Sequence, residues 1–150
     1  ANGAGLVFAC DLAVAAENAR FGTTAINVGL ICLGPAVPLA RHVGRKKALE
    51  MILTGDIISA ADALQFGLIN KVVPPDDLEG ETMKLAAKLV KKSPQAVQTG
   101  KIGVYGMSEI PYHQAVDYMD ELFSSLCATE DAIEGVNAFM EKRDPVWKGH

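Results

Sequence analysis

The chain offers little to a nucleic acid: aromatic residues make up 6% of its 150 residues, and its formal net charge is −4. Arg45-Lys46-Lys47 and Lys91-Lys92 are its basic runs, too short for a phosphate-binding stripe. Its three cysteines, Cys10, Cys32 and Cys127, form an odd set without a CxxC or Cys/His spacing. They support neither a disulfide framework nor a zinc site, and a reducing compartment fits them best. No apolar run approaches the roughly 20 residues that a membrane-spanning helix needs. The first residues also lack the charged, apolar and small-residue order of a signal peptide. What is present is 49% hydrophobic and 21% charged residues, the composition of a folded globular domain.

The first segment, Ala1-Asn2-Gly3-Ala4-Gly5, runs directly into Leu6-Val7-Phe8-Ala9 and closes at Cys10-Asp11. Gly3 and Gly5 allow a tight turn and close backbone approach, and the first N–H groups of a following helix point outward as free donors. Such a start suits a developing negative charge. With no strand before it to deliver the turn, the chain is expected to be the back half of a larger domain. A dinucleotide or phosphate loop is disfavoured because the third glycine and the preceding strand are missing.

Residues 12–15 and 20–22 read as short strands joined by a turn at Glu17-Asn18, and residues 26–38, rich in Gly and Pro, as a tightly packed pocket loop. Helices are expected over 36–43, ending near Gly44, over 46–53, ending at Gly55, and over 60–66 behind an N-cap at Ser59. An edge strand follows over 68–73, stopped by Pro74-Pro75. Beyond it, Leu78, Thr82, Leu85, Ala86, Leu89 and Val90 share one helical face. Ser93-Pro94 opens the next helix, and residues 112–126 form another, with Val116, Met119, Leu122, Phe123 and Leu126 as core or subunit interface. The last helix, 129–143, starts on a Thr129 cap with Glu130, Asp131 and Glu134 complementing its dipole, and Ile133, Val136, Phe139 and Met140 as its buried face.

Isolated candidates have plain readings. Asp11 anchors a turn or helix end, Cys10 is a core residue, His42 is a solvated side chain with a phosphate contact as the alternative, and Trp147 packs the tail. His113 and His150 point to nothing specific, Cys127 has no basic neighbour to activate it, and no set of residues has metal-ligand spacing.

Seven landmarks in register carry a resemblance: the glycine turn into Cys10-Asp11, Ala19-Arg20-Phe21-Gly22, Asn27-Val28-Gly29-Leu30, Leu53-Thr54-Gly55-Asp56, Ser59 to Ala63, Gly67 to Val73, and Glu134-Gly135 through Arg143. The chain resembles the enoyl-CoA hydratase/isomerase (crotonase) superfamily over essentially its whole length, in particular the divergent enoyl-CoA hydratase domain-containing proteins. The resemblance implies an α/β fold, the C-terminal, mainly helical part of a spiral ββα crotonase (ClpP/crotonase-like) domain. Residues 1–75 would end the core and 76–150 would form a helical trimerisation region, giving a homotrimer or hexamer. It implies a CoA-thioester lyase or isomerase in the cytoplasm or mitochondrial matrix, with coenzyme A as part of the substrate, no further cofactor, and neither nucleic acid nor membrane as partner.

By the same resemblance, two backbone N–H groups hold the thioester oxygen as an enolate-like state forms, each worth ~3 kcal/mol of barrier. One donor maps to Asn2, with Gly3 beside it; the other belongs to the preceding half. The two glutamates that activate water in hydratases map to Gly5 and Ala25. Neither side chain transfers a proton, a loss of ~100-fold to 10,000-fold in rate. Asn27, near the Val-Gly landmark, is an amide that orients a carbonyl or a water but is no base. Phe139 and Lys142 match an aromatic and a lysine that pack around the adenine and phosphates of CoA. Taken alone, Phe139 would be core and Lys142 a solvated charge. A non-catalytic acyl-CoA-binding or assembly protein is the competing expectation.

Overall fold

The computed structural model describes residues 2–149; Ala1 and His150 lie outside the described residues. Two compact units divide the chain, one running to Lys84 and the other starting at Leu85.

In the first unit, α1 (Asn2–Ala9) packs on α2 (Leu33–Thr54). Residues 26–38 are therefore not one loop. A short 3-10 turn (Thr24–Val28) is capped by Gly29 in the left-handed region, and α2 begins at Leu33, taking in Pro35 and Pro38. Pro35 is tolerated because the first-turn N–H groups of a helix have no internal partner. The break expected near Gly44 is a kink inside α2, with Gly44 at φ 73 and ψ 164. The end at Gly55, φ 69, is as expected, its N–H donating to the Met51 carbonyl.

Two small ladders complete this unit. β1 (Val14–Ala16) runs parallel to β4 (Lys71–Val73), and β2 (Arg20–Gly22) runs antiparallel to β3 (Ile57–Ser59), a strand the sequence did not announce. The edge strand expected over 68–73 is shorter; just before it Asn70 clasps Ala13, Oδ1 accepting the Ala13 N–H at 2.8 Å and the Asn70 N–H donating to the Ala13 carbonyl at 2.8 Å. Helix α3 (Ala60–Gln65) starts on the expected Ser59 cap, here a full capping box with Asp62. Phe8, Phe21, Leu39, Ala48, Met51, Ile52, Ala60, Leu68 and Ile69 share one buried cluster.

Helix α4 (Leu78–Val90) carries the chain across the division between the units. Near its start Glu81 pairs with Lys71 and Lys84, which hold its carboxyl down at about 2.

The second unit is helical. α5 (Pro94–Met107), capped by Ser93, packs on α6 (Tyr112–Cys127), where Met119 and Leu122 press on Gly103. α7 (Glu130–Glu141) begins on the Thr129 cap. Its buried side is not the expected one: Asp131 and Ala138 are buried, while Ile133, Val136, Phe139 and Met140 are exposed by 57% to 82%. The 3.6-residue period is present, but the side turned inward carries the carboxylate and the small residues.

After α7 the chain turns at Lys142, the one non-glycine residue in the left-handed region among those described, and runs back along the helix. Arg143 forks onto Glu134 at 2.6 and 2.9 Å, and the Val146 N–H donates to the same carboxylate. The Arg143 guanidinium, followed by that N–H, lowers Glu134 from an ordinary 4.5 to about 2. A depressed carboxylate adds stability that is complete above its unfolded pKa and is lost as pH falls through its folded one. Thermal unfolding of Glu134→Gln should therefore fall below the parent at neutral pH, with the gap closing between about pH 4.5 and pH 2.

Candidate functional site

The positions expected to receive a thioester oxygen are the first residues of α1. Asn2 and Gly3 are both exposed, and a Cβ at Gly3 would meet nothing within 4 Å. Their N–H groups belong to the first turn, where no helical carbonyl precedes them. Gly3 and Gly5 sit inside the helix and form no tight turn there, so of the two roles read for them close approach is the one observed, at Gly5. A Cβ at Gly5 would stand 2.8 Å from Pro35 Cγ, closer than real Cβ atoms pack, and a tight 3.3 Å from Pro35 Cα. Position 5 is thus filled by the contact between α1 and α2.

Ala25 lies in the 3-10 turn. Its N–H donates to Cys32 Sγ at 3.4 Å, and its carbonyl accepts from Leu30 at 3.0 Å. Asn27 shares this turn; its Oδ1 lies 2.8 Å from where a Gly55 Cβ would be, so the amide is turned toward the end of α2. No group at position 5 or 25 exchanges a proton.

In the second unit, Phe139 is 82% exposed and lines a cleft of about 340 Å³ with Leu126, Val136, Gly135 and Trp147. Phe139 is therefore not core. Lys142 is exposed at the C-terminal end of the same helix. Trp147 packs the tail as expected, its ring 3.2 Å from where a Gly135 Cβ would be and its indole N–H donating to the Lys91 carbonyl at 2.9 Å.

Two readings need correction and a third an addition. Cys10 is exposed, past the end of α1, and its thiol donates to the Leu6 carbonyl at 3.2 Å. His42 is exposed as expected, but its Nε2 is also engaged, 2.8 Å from the Phe8 carbonyl oxygen. Asp131 is only 2% exposed; it accepts from Ser93 Oγ at 2.6 Å and from the Lys148 and Gly149 N–H groups at 2.7 and 3.1 Å. The signal for it was present in the sequence as a serine cap, an acidic first turn and a tail, but nothing local joins those three segments. Among the described residues, no group of histidine, cysteine and carboxylates is arranged to hold a metal ion, and no helix is long and apolar enough to cross a membrane.

A profile of the enoyl-CoA hydratase/isomerase family matches residues 1–150, and the chain belongs to that family. Among curated relatives, enoyl-CoA hydratase domain-containing protein 3, mitochondrial, of Mus musculus is 44% identical over 147 residues, covering 98% of this chain and 49% of the relative. The 2,3-dehydroadipyl-CoA hydratase of Escherichia coli is 40% identical, covering 98% of this chain and 58% of that one. The chain thus spans about half the length of the curated relatives it matches. A crystal structure of an enoyl-CoA hydratase of Mycobacterium smegmatis superposes with a TM-score of 0.94 at 44% identity, over 98% of this chain and 57% of that one. The human enoyl-CoA hydratase domain-containing protein 3 gives 0.92 at 43% identity, over 97% of this chain and 57% of that one. The fold is of the crotonase type, α/β and mainly helical in these residues.

Proposed function

We propose that the full-length protein binds an acyl-CoA thioester and polarises its carbonyl through the Asn2 and Gly3 backbone N–H groups, without the glutamate pair that hydrates a double bond. The observation that carries this reading is the Gly5–Pro35 contact, which gives position 5 over to packing while the Asn2 and Gly3 N–H groups lie in the first turn of α1, without an acceptor in their own helix. Backbone donors need no side chain, so oxyanion binding survives the substitutions at Gly5 and Ala25 whereas general acid-base catalysis does not. Any proton donor or acceptor comes from the other half of the protein or from water. The same Gly5 contact favours a second reading, a non-catalytic acyl-CoA-binding or assembly protein, because the position has been given over to packing.

Calorimetric titration of the full-length protein with acetyl-CoA and a longer enoyl-CoA, alongside a crotonyl-CoA hydration assay, tests both readings. Binding with hydration at least ~100-fold below that of a glutamate-bearing hydratase is expected. Hydration at the full rate overturns the reading of positions 5 and 25; failure to bind any thioester overturns the oxyanion reading and leaves of the second only the assembly role.

The exposed stripe of Ile133, Val136 and Met140 suits a subunit contact in a homotrimer or hexamer, and relatives named mitochondrial support the mitochondrial matrix as location. Phe139 and Lys142 are assigned to the adenine and phosphates of CoA. At Lys142, with φ 55, the backbone and the charge are separable. Lys142→Gly should raise unfolding free energy by about 1 kcal/mol, since glycine has no Cβ to strain there. It should also weaken CoA binding, by up to about fivefold for one surface charge. Denaturant unfolding and titration with CoA, run in parallel, read the two effects.

A further inference from the structure

Helix α1 is held against α2 at two levels. At its middle, Gly5 rests on Pro35; near its end, His42 Nε2 reaches the Phe8 carbonyl oxygen at 2.8 Å. That oxygen is among the last four of α1, which have no partner within their own helix. A carbonyl oxygen only accepts, so His42 carries its hydrogen on Nε2 and donates it. Phe8 is 1% exposed and its ring centroid lies 6.1 Å from that of Phe21, so the carbonyl belongs to a well-anchored residue.

The spacing of these contacts makes them a lever. Pro35 and His42 are about two turns apart on α2, while Gly5 sits midway between Asn2 and Phe8, three residues or ~4.5 Å of helix from each. The Gly5 contact is a pivot; the Phe8 side chain in the buried cluster limits the swing of the far end, and the His42 donation fixes its backbone. Any sideways shift of the Phe8 end then appears at Asn2 with similar size and opposite sense. A misplacement near 1 Å in a reacting geometry costs on the order of 100-fold.

We propose that His42 is a positioning residue: by donating to the Phe8 carbonyl it fixes the tilt of α1 about the Gly5–Pro35 contact and so sets where the Asn2 and Gly3 N–H groups point. This rests on the reading that those two groups receive the thioester oxygen. If His42 were only a cap for α1, its loss would lower stability and leave the polarisation of a bound thioester unchanged.

The test uses the full-length protein and a cinnamoyl thioester of CoA, whose absorption moves to the red as its carbonyl is polarised. His42→Leu should bind the probe within about twofold of the parent while losing more than about half of the red shift. His42→Gln, which retains a donor, should regain most of it. His42→Ala is read by the same shift, so the result does not depend on one variant folding. Ser59→Ala, which breaks the α3 capping box, is the stability control and should keep the full shift. A full shift in His42→Leu or His42→Ala overturns the positioning role and leaves the oxyanion reading in place. A parent protein that binds the probe with no shift, or does not bind it, overturns the oxyanion reading and the positioning role with it.

Discussion

Gly5→Glu is expected to destabilise the protein by about 2 kcal/mol and to leave crotonyl-CoA hydration no faster than in the parent. The first side-chain atom decides this outcome. A Cβ at position 5 would lie 2.8 Å from Pro35 Cγ and 3.3 Å from Pro35 Cα, and forcing atoms into a packed contact costs ~1–3 kcal/mol. The gain in helix propensity on replacing glycine, below ~1 kcal/mol, offsets part of that. Gly5→Ala should accordingly show a smaller loss from the same contact. Pairing Gly5→Glu with Pro35→Gly removes Pro35 Cβ and Cγ from the conflict, so the double variant should be more stable than the sum of the two single changes by at least ~1 kcal/mol. Denaturant unfolding of the four proteins closes that cycle. Strict additivity would mean that α1 relaxes away from α2 without cost, and a rise in hydration in Gly5→Glu alone would mean that one carboxylate suffices.

Asp131→Ala should cost more, about 3–4 kcal/mol. The carboxylate is 2% exposed and accepts hydrogen bonds from Ser93 Oγ and from the Lys148 and Gly149 backbone. Bonds to a charged acceptor contribute ~1.5–3 kcal/mol each, and donors left buried without a partner add their desolvation penalty. Asp131→Asn keeps Oδ1 for the two N–H groups and leaves Ser93 Oγ able to accept, so its loss should be about 1 kcal/mol. Chemical denaturation gives the magnitudes. Amide hydrogen exchange locates them: in Asp131→Ala, protection should fall at the start of α5 and in the tail, with the α1 and α2 amides unchanged. Uniform loss across both units would overturn the assignment of this network to the second unit.

What the sequence made legible was local. Ser59, Ser93 and Thr129 each cap a helix where expected, because a cap depends on residues within three positions of one another. Gly44 and Gly55 marked a kink and an end because their backbone angles require it. The reading failed where a distant partner decides. Pro35 and Pro38 suggested a loop, yet packing against α1 draws both into α2. The apolar stripe of α7 suggested its buried face, yet Asp131 turns inward because its donors lie in Ser93 and the tail. β3 is three residues long and exists through its pairing with β2. At the site, Asn2, Gly3, Ala25, Asn27, Phe139 and Lys142 came from resemblance, whereas the contacts of Gly5 with Pro35 and of His42 with Phe8 bridge about 30 residues and carry no local mark.

The fastening of the tail to Asp131 also bears on when the protein can fold as it is made. Synthesis proceeds from the N-terminus, and a segment settles only after its last essential partner has emerged. In the first unit, the final strand partner is Val73 of β4, paired with Ala16 of β1. The second unit waits much longer. Until Lys148 and Gly149 leave the ribosome, folding α7 would bury a carboxylate without the donors these two residues supply. The two units therefore mature in order: the one carrying Asn2 and Gly3 once β4 has emerged, and the one carrying Phe139 and Lys142 only when Lys148 and Gly149 have followed.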